Sequence, residues 1–236
     1  RLLLLNKADM ADPAATSRWI AAYEKKGYTA LAMDCRSGKG VRNFAPAVRE
    51  RLLAPLLEKR RANGTAGAPI RLMIVGIPNV GKSSFINRMA QSKRAKVEDR
   101  PGVTRTKQWV KIGDNMELLD MPGVLWPKFE DQSVAQRLAF TGAINDDIMD
   151  LEALASLLLV RLAASYPDAL EKRYRMTELS AIQTDGFAML ELLGRKRGML
   201  ISGGEVNTER AAITLLDEFR SGKLGRITLE FPEQER

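Results

Sequence analysis

The chain has 236 residues with 37 Lys and Arg against 29 Asp and Glu, a net charge of +8, one cysteine and no histidine. That length is enough for one larger domain and a small second domain, each with its own core, while the lone Cys35 excludes an internal disulfide framework. The longest apolar stretch, residues 151–164, is interrupted by Glu152 and Arg161 and is too short to span a bilayer, so a cytoplasmic protein without a membrane partner is expected.

Leu2-Leu3-Leu4-Leu5 reads as a short strand running into Asn6-Lys7-Ala8-Asp9. A carboxylate at Asp9 can accept from the N1–H and exocyclic amine of guanine, a donor pair that adenine lacks, with Asn6 orienting the base edge and Lys7 lying along the ring. A second strand, 28–33, leads into Asp34-Cys35-Arg36-Ser37-Gly38-Lys39-Gly40. The linker 62–69, rich in Gly, Ala and Asn, then joins this front half to the remainder of the chain.

Residues 70–75 form an apolar, strand-forming run before Gly76-Ile77-Pro78-Asn79-Val80-Gly81-Lys82-Ser83, and a helix opens from Ser84. A strand, this glycine spacing and a helix together specify a phosphate loop. Gly76 and Gly81 let the backbone aim N–H groups at phosphate oxygens, Lys82 can reach the β- and γ-phosphates and Ser83 can ligate Mg²⁺. Asn79, Val80, Gly81, Lys82, Ser83 and Ser84 are the candidate phosphate-binding residues. After Arg100-Pro101-Gly102-Val103-Thr104-Arg105, a hairpin is legible as strand 107–112, a turn at Gly113-Asp114-Asn115 and strand 116–119. It ends in Asp120-Met121-Pro122-Gly123, 38 residues after Lys82, where an aspartate suits a water-mediated Mg²⁺ contact and Gly123 leaves its N–H for the γ-phosphate.

An ordinary GTPase carries its phosphate loop first and its guanine-reading tetrapeptide last. Here the order is reversed, and the chain resembles the circularly permuted ribosome-assembly GTPases of the YlqF/RbgA group over essentially its whole length. Carrying the likeness past the nucleotide motifs are Pro122 to Asp131, Arg137 to Ile144 and Asn207 to Ile227. The resemblance implies an α/β P-loop NTPase fold, a mostly parallel sheet with helices on both faces, followed by a small all-α domain. It further implies a GTPase bound to GTP or GDP with Mg²⁺, Thr104 closing over the metal and γ-phosphate as a switch, and Lys82 and Thr104 as the catalytic pair. The loop at Asp34 stands where the group has a base loop of SAxxGxG type, with Cys35 and Arg36 replacing Ser and Ala, so guanine carbonyl contacts fall to backbone N–H near Arg36 and Ser37. Asn79 is typical of GTPases that recruit K⁺ beside the phosphates. Val124 stands just beyond Gly123, near where Ras-like enzymes place a water-orienting glutamine. Members also begin with a strand and helix upstream of the NKxD tetrapeptide and carry a candidate catalytic histidine there, so Arg1 is expected not to be the native start.

The basic balance is confined to residues 1–145, net +12, while residues 146–236 are net −4. Arg49 and Arg51, Lys93, Arg94 and Lys96, and Arg100, Arg105 and Lys107 are candidate phosphate-backbone contacts, whereas Lys59-Arg60-Arg61 reads equally well as a solvated face. In the second half, RNA contact falls to local patches at Lys172, Arg173 and Arg175, at Arg195-Lys196-Arg197, and at Arg220, Lys223 and Arg226. Residues 150–165, 169–174, 184–194 and 208–221 read as helices, with Asn207 or Thr208 capping the last and their Met and Leu side chains forming a core. The expected division is a GTPase domain over 1–140 and a helical bundle over 141–236. The resemblance implies partners in a large ribosomal subunit precursor, its rRNA and ribosomal proteins, engaged by a monomer. The rival reading is a GTPase-fold scaffold that binds nucleotide and barely hydrolyses it.

Overall fold

The computed structural model describes residues 1–90, 108–113, 115–125, 131–177 and 179–232. The chain divides into two units, Arg1–Leu125 with Thr228–Arg236, and Trp126–Ile227. In the first, β1 (Leu2–Leu5) and β2 (Thr29–Ala32) run parallel, linked by α1 (Pro13–Lys25). The sequence reading gives no helix at α1, yet its start is well specified. Asp12 accepts from the N–H groups of Ala14 and Ala15, and Pro13 presets the first helical φ.

A short turn, α2 (Phe44–Pro46), and a π-helical segment, Ala47–Leu52, precede α3 (Ala54–Ala62). None of the α3 residues is buried, which favours a solvated face for Lys59, Arg60 and Arg61. β3 (Ile70–Ile74) then enters α4 (Lys82–Met89), and β4 (Gln108–Ile112) and β5 (Met116–Asp120) form the hairpin. β5 lies between β3, to which it is parallel with Ile74 opposite Asp120, and β4, to which it is antiparallel. Among the described residues the strands therefore make a parallel pair and a three-stranded mixed sheet. The antiparallel arm follows from the tight turn, where Gly113 and Asn115 both have positive φ and return the chain on itself.

One apolar cluster joins the two halves that the linker connects. Met33, Cys35, Val41, Phe44 and Val48 from the front half pack with Ile70, Phe85, Ile86, Val110, Ile112, Met116 and Leu118. Phe44 meets Phe85 edge-on with ring centroids 4.9 Å apart. The strand β5 alternates, burying Met116, Leu118 and Asp120 on one side, so the period that fills the core also drives Asp120 inward.

The second unit consists, among the described residues, of helices: α5 (Gln132–Phe140), α6 (Leu151–Ser165), α7 (Pro167–Tyr174), α8 (Gly186–Lys196) and α9 (Thr208–Arg220), with short 3₁₀ turns between. Asp150, Asp185 and Asn207 cap α6, α8 and α9. The buried faces are Leu154, Leu158, Leu159 and Leu162 against Met189, Leu190, Leu193, Leu215 and Leu216. α8 starts close against α6: a Cβ on Gly186 would lie 2.7 Å from the Ser156 carbonyl carbon.

The division falls at Leu125/Trp126 rather than near residue 140, because α5 belongs with the later helices. Arg220 of α9 fixes it there, donating to the carbonyls of Ala139 (2.9 Å) and Phe140 (3.0 Å) and pairing with Asp146. Glu218, buried, is held well below the usual carboxylate range, at about 2, by hydrogen bonds from Arg173, against the cost of burial, with Tyr174 and Arg197 adding to the effect. Arg173, Arg197 and Arg220 therefore serve internal ion pairs, leaving exposed Lys172, Arg175, Arg195, Lys196, Lys223 and Arg226 as the solvated cations of the three expected patches.

After Ile227 the chain returns to the first unit. Thr228 Oγ1 accepts from the Asp12 N–H (3.0 Å), the Trp19 indole N–H donates to the Glu230 carbonyl (2.9 Å), and Arg18 stacks over Phe231. The segment thus lies along α1, a pairing between residues more than two hundred positions apart that no local pattern announces.

Candidate nucleotide site

Four loops converge beyond the carboxyl ends of β1, β2, β3 and β5, the place where parallel α/β sheets bind ligands. The phosphate loop rises from β3 and enters α4 through Gly81, whose φ of +93° is a left-handed conformation costly for any residue with a Cβ. Asn79 is also left-handed, at φ +57°. Lys82 folds back over the loop, its Nζ donating to the carbonyls of Gly76 (3.0 Å) and Ile77 (2.9 Å). Burial pushes its ammonium below the usual lysine value, and the nearby Asp120 carboxylate opposes that. Ser83 and Ser84 occupy the first turn of α4, where backbone N–H groups and the helix dipole favour an anion.

Asn6 ties this loop to the base side. Its amide donates to the Val80 carbonyl (2.8 Å) and its Oδ1 accepts from the Cys35 N–H (3.1 Å). A Cβ on Gly81 would collide with the Asn6 amide, so glycine is needed there for approach as well as for φ. Asn6 therefore joins two loops, where the sequence reading gives it the base edge. Lys7 adopts φ +57°, the turn is closed by the Met10 N–H on the Lys7 carbonyl, and Lys7 and Asp9 both face solvent.

The base loop is organised by Asp34, which is buried and which the sequence reading leaves without a role. Its carboxylate accepts from the N–H groups of Arg36 (2.7 Å) and Ser37 (3.1 Å). Burial acts to raise its pKa, yet hydrogen bonds from the Ser37 side chain and these two N–H groups outweigh it, so the net shift is downward. The N–H groups expected to read the guanine carbonyl are thus already engaged, and a base must share them with a carboxylate. Arg88 on α4 holds the other side of the same loop, its Nε donating to the Cys35 carbonyl (3.1 Å) and a terminal nitrogen to the Arg36 carbonyl. An arginine on a helix after a phosphate loop carries no sequence signal of this kind. Cys35 is buried, and burial lifts its thiol to about 11, so it is a packing residue.

Gly123 completes the phosphate side. A Cβ there would lie 2.8 Å from the nitrogen and 2.9 Å from the Cα of Pro78, and the Val124 N–H donates to the Gly76 carbonyl (3.3 Å). The Asp120 motif is therefore pressed against the phosphate loop, with Asp120 itself fully buried at the tip of β5. The Ser83 hydroxyl and Asp120 carboxylate are hard oxygen donors that suit Mg²⁺. Among the described residues there is no cluster of three His, Cys, Asp or Glu. Thr104 lies outside the described residues, as do Lys93, Arg94, Lys96, Arg100, Arg105 and Lys107.

Residues 71–181 match the family model described as 50S ribosome-binding GTPase. Ribosome biogenesis GTPase A of Bacillus licheniformis is 46% identical over 233 residues, covering 99% of this chain and 81% of the relative. The Bacillus cereus protein of the same name is 45% identical over 234 residues, covering 99% and 78%. Its namesake in Thermotoga maritima is 28% identical over 232 residues, covering 98% and 76%. Among solved structures, GNP-bound YlqF from T. maritima shares the fold, with a TM-score of 0.64 at 24% identity over 99% of this chain and 82% of that one.

Proposed function

The chain belongs to the ribosome biogenesis GTPase A family, and on that basis we propose that it is a GTP-hydrolysing switch that binds a large ribosomal subunit precursor, touching rRNA and ribosomal proteins as a cytoplasmic monomer. The observation that carries the nucleotide half is the pair of hydrogen bonds of Asn6, one donated to the Val80 carbonyl and one accepted from the Cys35 N–H, which makes guanine loop, base loop and phosphate loop one site. The motif order along the chain supports a circularly permuted GTPase, with the shared core of the two halves as the physical reason that either order can fold.

In this reading Asp9 selects guanine, the N–H groups of residues 79–84 hold the phosphates, and Lys82 leaves the carbonyls of Gly76 and Ile77 to neutralise charge between the β- and γ-phosphates. Ser83 and, through water, Asp120 would hold Mg²⁺, joined by Thr104, and the bound ion would supply charge neutralisation on the transferred group. Gly123, packed against Pro78, would offer its N–H to the γ-phosphate. Val124, which is 69% exposed and has only a hydrocarbon side chain, cannot orient the attacking water. Turnover by the isolated chain should therefore be slow and should rise on the precursor particle. Asn79 is the proposed K⁺ ligand beside the phosphates, where the ion would do the electrostatic work of an arginine finger.

GTP turnover measured with and without purified large-subunit precursors, in KCl and in NaCl at matched ionic strength, tests both parts. The expected result is acceleration by particles, greater in KCl. No acceleration by particles counts against the ribosomal partner and for the scaffold reading. Equal particle-stimulated rates in the two salts would remove the K⁺ site.

A further inference from the structure

Arg88 projects from the last turn of α4 and donates to two consecutive carbonyls of the base loop, those of Cys35 and Arg36. Each of these carbonyls shares a rigid peptide plane with the following N–H and points opposite to it. Fixing the Cys35 carbonyl therefore fixes the direction of the Arg36 N–H, and fixing the Arg36 carbonyl fixes that of Ser37. Asp34 takes those two N–H groups from the other side, at 2.7 and 3.1 Å. Two adjacent peptide planes are thus held at both ends, by a cation on the phosphate-loop helix and by a carboxylate within the loop. Gly38, beside the guanidinium, turns the loop at φ +90°, a conformation strained for any residue with a Cβ.

We propose that Arg88 is a positioning residue for guanine specificity: from the phosphate-loop helix it sets the two peptide planes whose Arg36 and Ser37 N–H groups the 6-carbonyl of the purine would share with Asp34. The inference rests on the reading of this pocket as a guanine site. A planar guanidinium can serve both carbonyls at once, whereas a lysine ammonium on its flexible stem can hold one at a time. Because Arg88 is surface-exposed and outside the apolar cluster, its removal leaves the core intact.

The test compares GDP with the diphosphate of 2-aminopurine riboside, which keeps the exocyclic amine but lacks the 6-carbonyl and the N1–H, by calorimetric titration of the whole chain. Arg88→Ala should weaken GDP about tenfold while changing the analogue by about twofold or less, a loss the size of one well-placed hydrogen bond. Arg88→Lys should fall between wild type and Arg88→Ala for GDP, and at saturating GTP kcat should stay within about twofold because the phosphate side is untouched. Equal weakening of both nucleotides, in either variant, would make Arg88 a general scaffold residue and overturn the proposal. Unchanged GDP affinity would overturn it too. If the wild-type chain itself binds the two nucleotides alike, the guanine reading falls and this inference falls with it.

Discussion

Asp9→Asn should move base preference from guanine to xanthine nucleotides by roughly a hundredfold or more, the worth of two hydrogen bonds to a charged acceptor. The carboxylate accepts from the N1–H and the exocyclic amine of guanine. An asparagine amide turns its NH₂ toward that amine, a donor against a donor, but meets the 2-carbonyl of xanthine favourably. Asp9 faces solvent in the turn after Lys7, and asparagine has the same shape, so the substitution changes recognition without disturbing packing. Competition between GDP and XDP measures the effect. Retained guanine preference would refute the base-reading role of Asp9.

Gly123→Ala should lower GTP turnover about a hundredfold or more while GDP affinity stays within about tenfold. The added methyl group would meet the backbone of Pro78, at 2.8 Å from its nitrogen and 2.9 Å from its Cα, so one of the two loops must move away. Backbone cannot rotate aside as a flexible side chain can. Where the Gly123 loop gives way, it carries with it the N–H expected at the γ-phosphate, whereas the base contact comes from Asp9 and the remaining phosphate contacts from the phosphate loop. The consequence falls on the step that distinguishes GTP from GDP. Single-turnover hydrolysis alongside GDP titration separates the two quantities, and wild-type turnover in the variant would contradict the close packing of these loops.

Much of this site was legible because its chemistry is local in sequence. A strand followed by Gly76 to Ser83 and a helix, and a buried strand ending at Asp120, are patterns whose residues act within a few positions of one another. The same holds for the cap at Asn207. What escaped is nonlocal. Arg88 reaches carbonyls more than fifty positions away, Gly123 is constrained by Pro78 from a separate loop, and the Thr228 segment returns to α1 from the far end of the chain. Periodicity could not place α5 with the helical unit either, since the tie is made by Arg220 to the carbonyls of Ala139 and Phe140. Asp34 was hidden for a different reason. An aspartate at the end of a strand is an ordinary turn residue, and only the folded loop turns its carboxylate onto the Arg36 and Ser37 N–H groups. Conversely, Arg173, Arg197 and Arg220 look like RNA contacts in sequence and prove to be ion-pair partners of Glu218 and Asp146.

These corrections leave the order of motifs with a sharper physical content. Asn6, near the start of the chain, bonds directly to the loop that begins seventy residues later, and Gly123 at its other flank leads within three residues to the second unit. A change at the γ-phosphate therefore has a short covalent path to the helices. Cosedimentation of the chain with purified large-subunit precursors, in a non-hydrolysable GTP analogue, in GDP and in the corresponding ATP analogue, is the sharpest test of this switch. The expected result is association with the GTP analogue that is largely lost in GDP and absent with the adenine nucleotide. Equal association in all three states would contradict it.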